Sequence, residues 1–113
     1  MWAIIKFDKK KLSILKNDFS KILDGNQVIY IPKLLIQKYR NNKLIHKELS
    51  LLGDYLLCFH KDLSNVETVN KLKFCRGLKY FLTGFKISQI EIQSFVDKCQ
   101  SSENKNGYLS YNF

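Results

Sequence analysis

The chain is 113 residues long, 45% hydrophobic, with 19 Lys+Arg against 10 Asp+Glu and a net charge of +9. That length builds one core and leaves no room for a second, and the apolar share is too high for a disordered tail. No apolar run is long enough to span a membrane or to form a signal peptide, so a multi-domain enzyme, a membrane protein and a secreted disulfide knot are all disfavoured.

Residues 2–7 (WAIIKF) read as a buried or half-buried first strand. Residues 9–24 switch to helical spacing, with Leu12, Leu15, Phe19, Ile22 and Leu23 on one face and Gly25 as the stop. QVIYI at 27–31 is β-branched and aromatic, and Pro32 interrupts it. Residues 34–50 read as two strands around Asn41-Asn42, a pair that tolerates the left-handed conformation of a tight turn. These arms carry Lys33, Lys38, Arg40, Lys43 and Lys47, which predicts a basic, projecting hairpin. Gly53-Asp54 is a turn, and YLLCF at 55–59 has the continuous apolar character of a central strand.

Two capping boxes follow, Ser64 with Glu67 and Ser88 with Glu91. They predict a short helix to about 71 and a longer one to about 100, the second with an Ile87–Ile92 staple. LKYFL at 78–82 reads as the last strand. Residues 101–113 lose periodicity, and form a polar tail or the start of a linker. Tyr108, Leu109, Tyr111 and Phe113 are nonetheless apolar enough to dock. The order βαββββαβα predicts an α+β fold: a mainly antiparallel sheet of four to five strands flanked by three helices.

The charge excess is nearly all lysine, 17 Lys to 2 Arg. It attracts polyanions, nucleic acid first among them, although an AT-rich coding bias accounts for part of the count. Cys58, Cys75 and Cys99 are widely spaced and odd in number, which fits buried thiols in a reducing, cytoplasmic setting. Neither His46 nor His60 has metal-ligand spacing to them. There is no nucleophile elbow, phosphate loop or HExxH, so no catalytic residue, metal or cofactor is expected.

The richest segment is 71–85, KLKFCRGLKYFLTGF, within a stretch free of acids from 68 to 90. Lysines interleaved with aromatics suit a phosphate backbone and stacked bases. On composition alone, a strand with a buried aromatic face explains it better. Arg76-Gly77 begins like an RNP1 run, but Leu78, Lys79 and Thr83 then depart from it and the run falls on the last strand, which rejects a standard RRM.

Several stretches together resemble the N-terminal (NGN) domain of the NusG family of transcription elongation factors, closest in look to its antiterminator branch, RfaH. They are Trp2 on the first strand, the Leu51-Leu52-Gly53-Asp54-Tyr55-Leu56 segment, Arg76-Gly77-Leu78-Lys79-Tyr80-Phe81-Leu82, and the helix opened by Ile87-Ser88. They cover about residues 2–100 in the family's order. Gly53 stands where the family usually has proline. The resemblance implies a non-enzymatic, monomeric domain over 1–100; residues 101–113 read as tail or linker start, and the KOW barrel that the family normally appends is not expected within these 113 residues.

The implied function is to bind the clamp helices of RNA polymerase's largest subunit and suppress pausing, with upstream or non-template DNA beside a basic face. By position, the polymerase-binding candidates are Lys6, Leu51, Leu52, Ile92, Phe95 and Val96. For Ile92 and Val96, docking patch and helix-to-sheet packing are equal readings. The nucleic-acid candidates are Lys9, Lys10, Lys11, Arg76 and Lys79. Thr68, Val69 and Asn70 lie near the branch's His-Thr-Thr gate-loop contact, without its histidine. The alternative is a stand-alone basic RNA- or DNA-binding α+β module, ribosome-associated in one version.

Overall fold

The computed structural model describes residues 1–109. The elements are β1 (Trp2–Phe7), α1 (Leu12–Leu23), β2 (Val28–Tyr30), β3 (Lys33–Arg40), β4 (Lys43–Ser50), β5 (Tyr55–Phe59), α2 (Val66–Leu72), β6 (Leu78–Phe81), α3 (Gln89–Ser101) and β7 (Tyr108–Leu109). The fold is α+β, with a four-stranded antiparallel sheet in the order β2-β5-β1-β6. β1 and β5 lie at its centre, as their continuous apolar character requires. A second sheet, β4-β3-β7, holds the hairpin.

Register sorts the central side chains, because opposed residues share a face and successive ones alternate. Ile5 opposes Leu56 and Phe81, and Ala3 opposes Cys58. This face is sealed by Leu15, Phe19 and Leu23 of α1 with Leu72 of α2, in one core cluster. The other face carries Trp2 opposite Phe59, Ile4 opposite Leu57, and Lys6 opposite Tyr55 and Tyr80.

α3 packs on that second face through a polar clamp. The Gln89 side chain accepts the Trp2 main-chain N–H (2.7 Å) and donates to the carbonyls of Trp2 and Phe85 (both 2.6 Å). The Trp2 indole N–H donates to Gln93 Oε1 at 2.6 Å, and its ring lies 5.1 Å from that of Phe59. A buried amide or indole N–H needs such partners, so two glutamines fix where α3 lies across β1.

Both capping boxes form differently from the expectation. Ser64 donates its hydroxyl to the Lys61 carbonyl and closes a 3-10 turn. Asn65 is the cap instead, accepting from the Glu67 N–H at 2.9 Å. Ser88 starts α3 at φ −95°, ψ 25°. That is off the extended conformation from which a capping hydroxyl reaches inward, so it makes no side-chain cap bond. Ile87 is 90% exposed and staples nothing, while Ile92 is buried.

The first helix also begins later than its lysines. Asp8 caps a 3-10 turn over Lys9–Lys11, and the α-helix starts at Leu12. At its end Asp24 and Gly25 both take positive φ, so the left-handed stop spans two residues. The hairpin turn places Asn41 at φ 53° and Asn42 at φ 62°, the conformation that matches strand twist. Tyr108 and Leu109 of the tail pair in parallel with Lys33 and Leu34 of β3, and Leu109 is buried. Tyr111 and Phe113 lie outside the described residues.

All three cysteines are buried. Burial pushes the Cys58 thiol up to about 12 and the Cys75 thiol to about 11, which keeps both protonated and inert. His60 is buried too, and its Nδ1 accepts the Asp62 N–H at 3.0 Å, so it caps a turn. No helix of the described residues is long and apolar enough to cross a membrane.

Candidate docking groove and basic surfaces

α3 covers only part of the second sheet face, and an open groove of ≈460 Å³ runs beside it. Ile4, Leu57 and Leu82 line it from the sheet side, and Tyr55 and Leu52 from the β5 end. Ile92 and Phe95 form the α3 wall, with Ser88 and Glu91 at the same helix's first turn. The lining is thus almost wholly apolar, with one carboxylate. Outward along the same sheet face, the Lys6 ammonium sits 5.7 Å from the ring centres of both Tyr55 and Tyr80. The two phenol oxygens are 2.9 Å apart. This polar corner borders the apolar floor at Tyr55.

Three polymerase-binding candidates, Leu52, Ile92 and Phe95, therefore meet in one groove. Lys6 stands next to it, through Tyr55. Leu51 is half-buried and outside the groove lining, and its N–H donates to the Pro32 carbonyl at 2.9 Å. Val96 is corrected: it is 1% exposed and belongs to the core cluster, because it falls on the stripe of α3 that faces the sheet with Ile92 and Cys99. Ile92 does both jobs, buried at its base yet part of the groove wall. Tyr55, Leu57 and Leu82 were missed in the sequence. Strand alternation could have flagged them once the second face was known to be half covered.

The nucleic-acid candidates divide. Lys9, Lys10 and Lys11 are exposed on the 3-10 turn, with Lys9 3.7 Å from Asp54. Gly77 packs against Lys11, and its carbonyl accepts the Asp8 N–H at 2.8 Å, which brings Arg76 to the same end. Arg76 is not a free cation, however. Its Nε and a terminal nitrogen donate to the two Asp18 carboxylate oxygens at 3.1 and 2.9 Å, and its main-chain N–H adds a bond of 3.0 Å. A bidentate fork of this kind is the strong form of the pair. It ties α1 to the segment before β6, so the first role of Arg76 is structural. Lys79 lies apart, exposed on the β6 edge.

The Arg76 fork, followed by the Arg76 main-chain bond, holds the Asp18 carboxyl down at about 2, well below the usual carboxylate range. A carboxyl depressed by folding stabilises the fold above its unfolded value, and that contribution disappears as pH falls through the folded one. Acid loss of stability between about pH 4 and pH 2 is therefore expected to be smaller in Asp18→Asn, as read by urea midpoints across that window. An unchanged profile would show that the pair does not contribute.

The hairpin register shows a basic surface that sequence reading did not resolve. Ile36 opposes Lys47, Lys38 opposes Ile45 and Arg40 opposes Lys43, so Lys38, Arg40, Lys43 and Lys47 all project from one face. The reverse face of the same arms pairs Gln37 with His46 and Tyr39 with Leu44. Nearer the base on that reverse face, Glu48 lies 4.0 Å from Lys33 and accepts from the Tyr108 hydroxyl. Among the described residues no acid pairs with the four outer cations.

No family model matches the chain, and no curated protein matches it. The class defined by the fold and the groove is an α+β domain with an open apolar groove and a cationic β-ribbon.

Proposed function

We propose that the chain is a NusG-type NGN domain that binds the clamp helices of RNA polymerase and modulates elongation. One observation carries the reading: Leu52, Ile92 and Phe95, expected from two separated sequence segments, line the same open apolar groove. A groove beside a helix suits the ridge of a helical coiled coil, whose apolar side chains enter at spacings of three and four. The polar corner at Lys6, Tyr55 and Tyr80 supplies the rim that such interfaces carry. The test is capture of an isolated clamp-helix coiled coil by the folded domain. Absence of binding at micromolar concentration overturns the reading.

A second reading, a nucleic-acid-binding module, is favoured by the one-sided charge of the hairpin. A two-stranded ribbon fits the major groove of duplex DNA, and each phosphate contact releases counterions. On this reading Lys43→Ala combined with Lys47→Ala lowers the slope of log affinity against log salt by about 2 for duplex DNA. Fluorescence anisotropy across a salt series measures it, and an unchanged slope removes the hairpin from the interface. The two readings separate cleanly, because only the first predicts binding to the isolated clamp-helix coiled coil that persists at high salt.

A further inference from the structure

A second trough, ≈680 Å³ in volume, runs along the outer edge of β6. It shares only Leu82 with the docking groove. Its walls come from Val69 of α2, Phe81 of β6 and Phe85 of the following turn, and Lys73, Lys79 and Lys86 stand around it. No acidic residue lines it, and none of the three lysines has an ion-pair partner among the described residues. β6 pairs only with β1 among those residues, which leaves its other edge open. The Leu82 N–H donates to the Ile4 carbonyl at 2.8 Å. By the alternation of an antiparallel ladder, the main-chain N–H and C=O of Phe81 therefore point outward along that open edge.

We infer that this edge binds an extended acidic peptide, which adds to the sheet beside β6 and sets Asp or Glu side chains against Lys73, Lys79 and Lys86. Open main-chain groups give the ladder bond, and the lysines select the charge of the incoming strand. A second copy of the chain is excluded by the same lysines, since edge-to-edge pairing would bring Lys79 toward its own copy; a charged edge strand guards against such pairing. Single-stranded nucleic acid is the poorer fit. Stacking needs open ring faces, whereas Phe81 and Phe85 are both buried, packed on each other with ring centres 5.9 Å apart, and the exposed Tyr80 ring is already engaged by Tyr55 and Lys6. This inference stands without the polymerase reading, since it uses a different surface.

The experiment titrates the 15N-labelled domain with capped hexapeptides that alternate Asp or Glu with Val, Ile or Phe. Binding is expected to shift the amides of residues 79–87 and to slow exchange of the Phe81 amide. Lys79→Glu and Lys86→Glu are each expected to weaken binding roughly tenfold while leaving amide positions elsewhere unchanged. Peptides N-methylated at alternate main-chain amides should lose binding in one of the two phases. The inference is overturned by any of three results. These are no shift at millimolar peptide, equal binding of both N-methylated phases, or tighter binding of an oligothymidylate of matched charge to the same residues.

Discussion

Phe95→Ala is expected to weaken clamp-helix binding by about 2 kcal/mol or more, roughly thirtyfold, while leaving the domain folded. Phe95 is half-buried on α3 and lines the groove wall together with Ile92. An aromatic on the wall of an apolar groove is the residue type that concentrates binding energy, because its large face is desolvated by the partner. Truncation removes that face, while the α3 positions that seal the core, Val96 and Cys99, remain in place. Leu52→Glu tests the opposite wall. Leu52 lies in the turn between the two sheets, so a charge there can reach water in the free domain but is trapped in the complex. Isothermal titration against the coiled coil measures both, with far-UV circular dichroism as the folding control. If both variants bind as the parent does, the groove is not the docking surface.

Gly77→Ala is expected to destabilise the fold by about 2–4 kcal/mol, and denaturant midpoints check it. Gly77 has φ +87°, a conformation that L side chains rarely adopt. A Cβ there would stand 2.9 Å from the Lys11 Cβ and 3.2 Å from the Lys11 carbonyl oxygen. Both contacts are on or next to main chain, so nothing flexible can yield. The same glycine accepts the Asp8 N–H, and its neighbour Arg76 forks Asp18. Displacing it loosens both ties on the segment before β6, one to Asp8 after β1 and one to Asp18 of α1. A loss below about 0.5 kcal/mol would mean that the 3-10 turn simply moves aside.

Arg76-Gly77 shows how a motif can be visible while its meaning is hidden. The pair stands out in the sequence as a fragment of an RNA-binding run and as part of a family signature. The geometry gives a plainer account: glycine for a close approach, arginine for a carboxylate 58 residues earlier. Nothing local in the sequence names Asp18 as that partner. Strand and helix order, in contrast, is written in local periodicity, and all the expected elements occur. The hairpin was legible because Asn41-Asn42 carries its own turn chemistry.

The groove was half legible. Leu52, Ile92 and Phe95 are identifiable by position, but Val96 is not separable from them until the rotation of α3 is fixed, and two glutamines fix it. The single cationic face of the hairpin depends on register. A slip of one residue would scatter its charges over both faces. The capping boxes failed for local reasons: Asn65, next to Ser64, takes the cap bond, and Ser88 stands off the extended conformation that a capping hydroxyl needs.

The glutamine clamp on Trp2 also makes the molecule its own optical probe. Trp2 is the one tryptophan of the chain. Its indole is bonded to the helix that supplies Ile92 and Phe95, and its ring rests on Phe59. An occupant wedged beside α3 that shifts the helix must change the polarity and bonding around this fluorophore. Emission from the unlabelled protein thus reports on helix displacement, distinguishing a partner that merely rests in the groove from one that levers α3 away from the sheet.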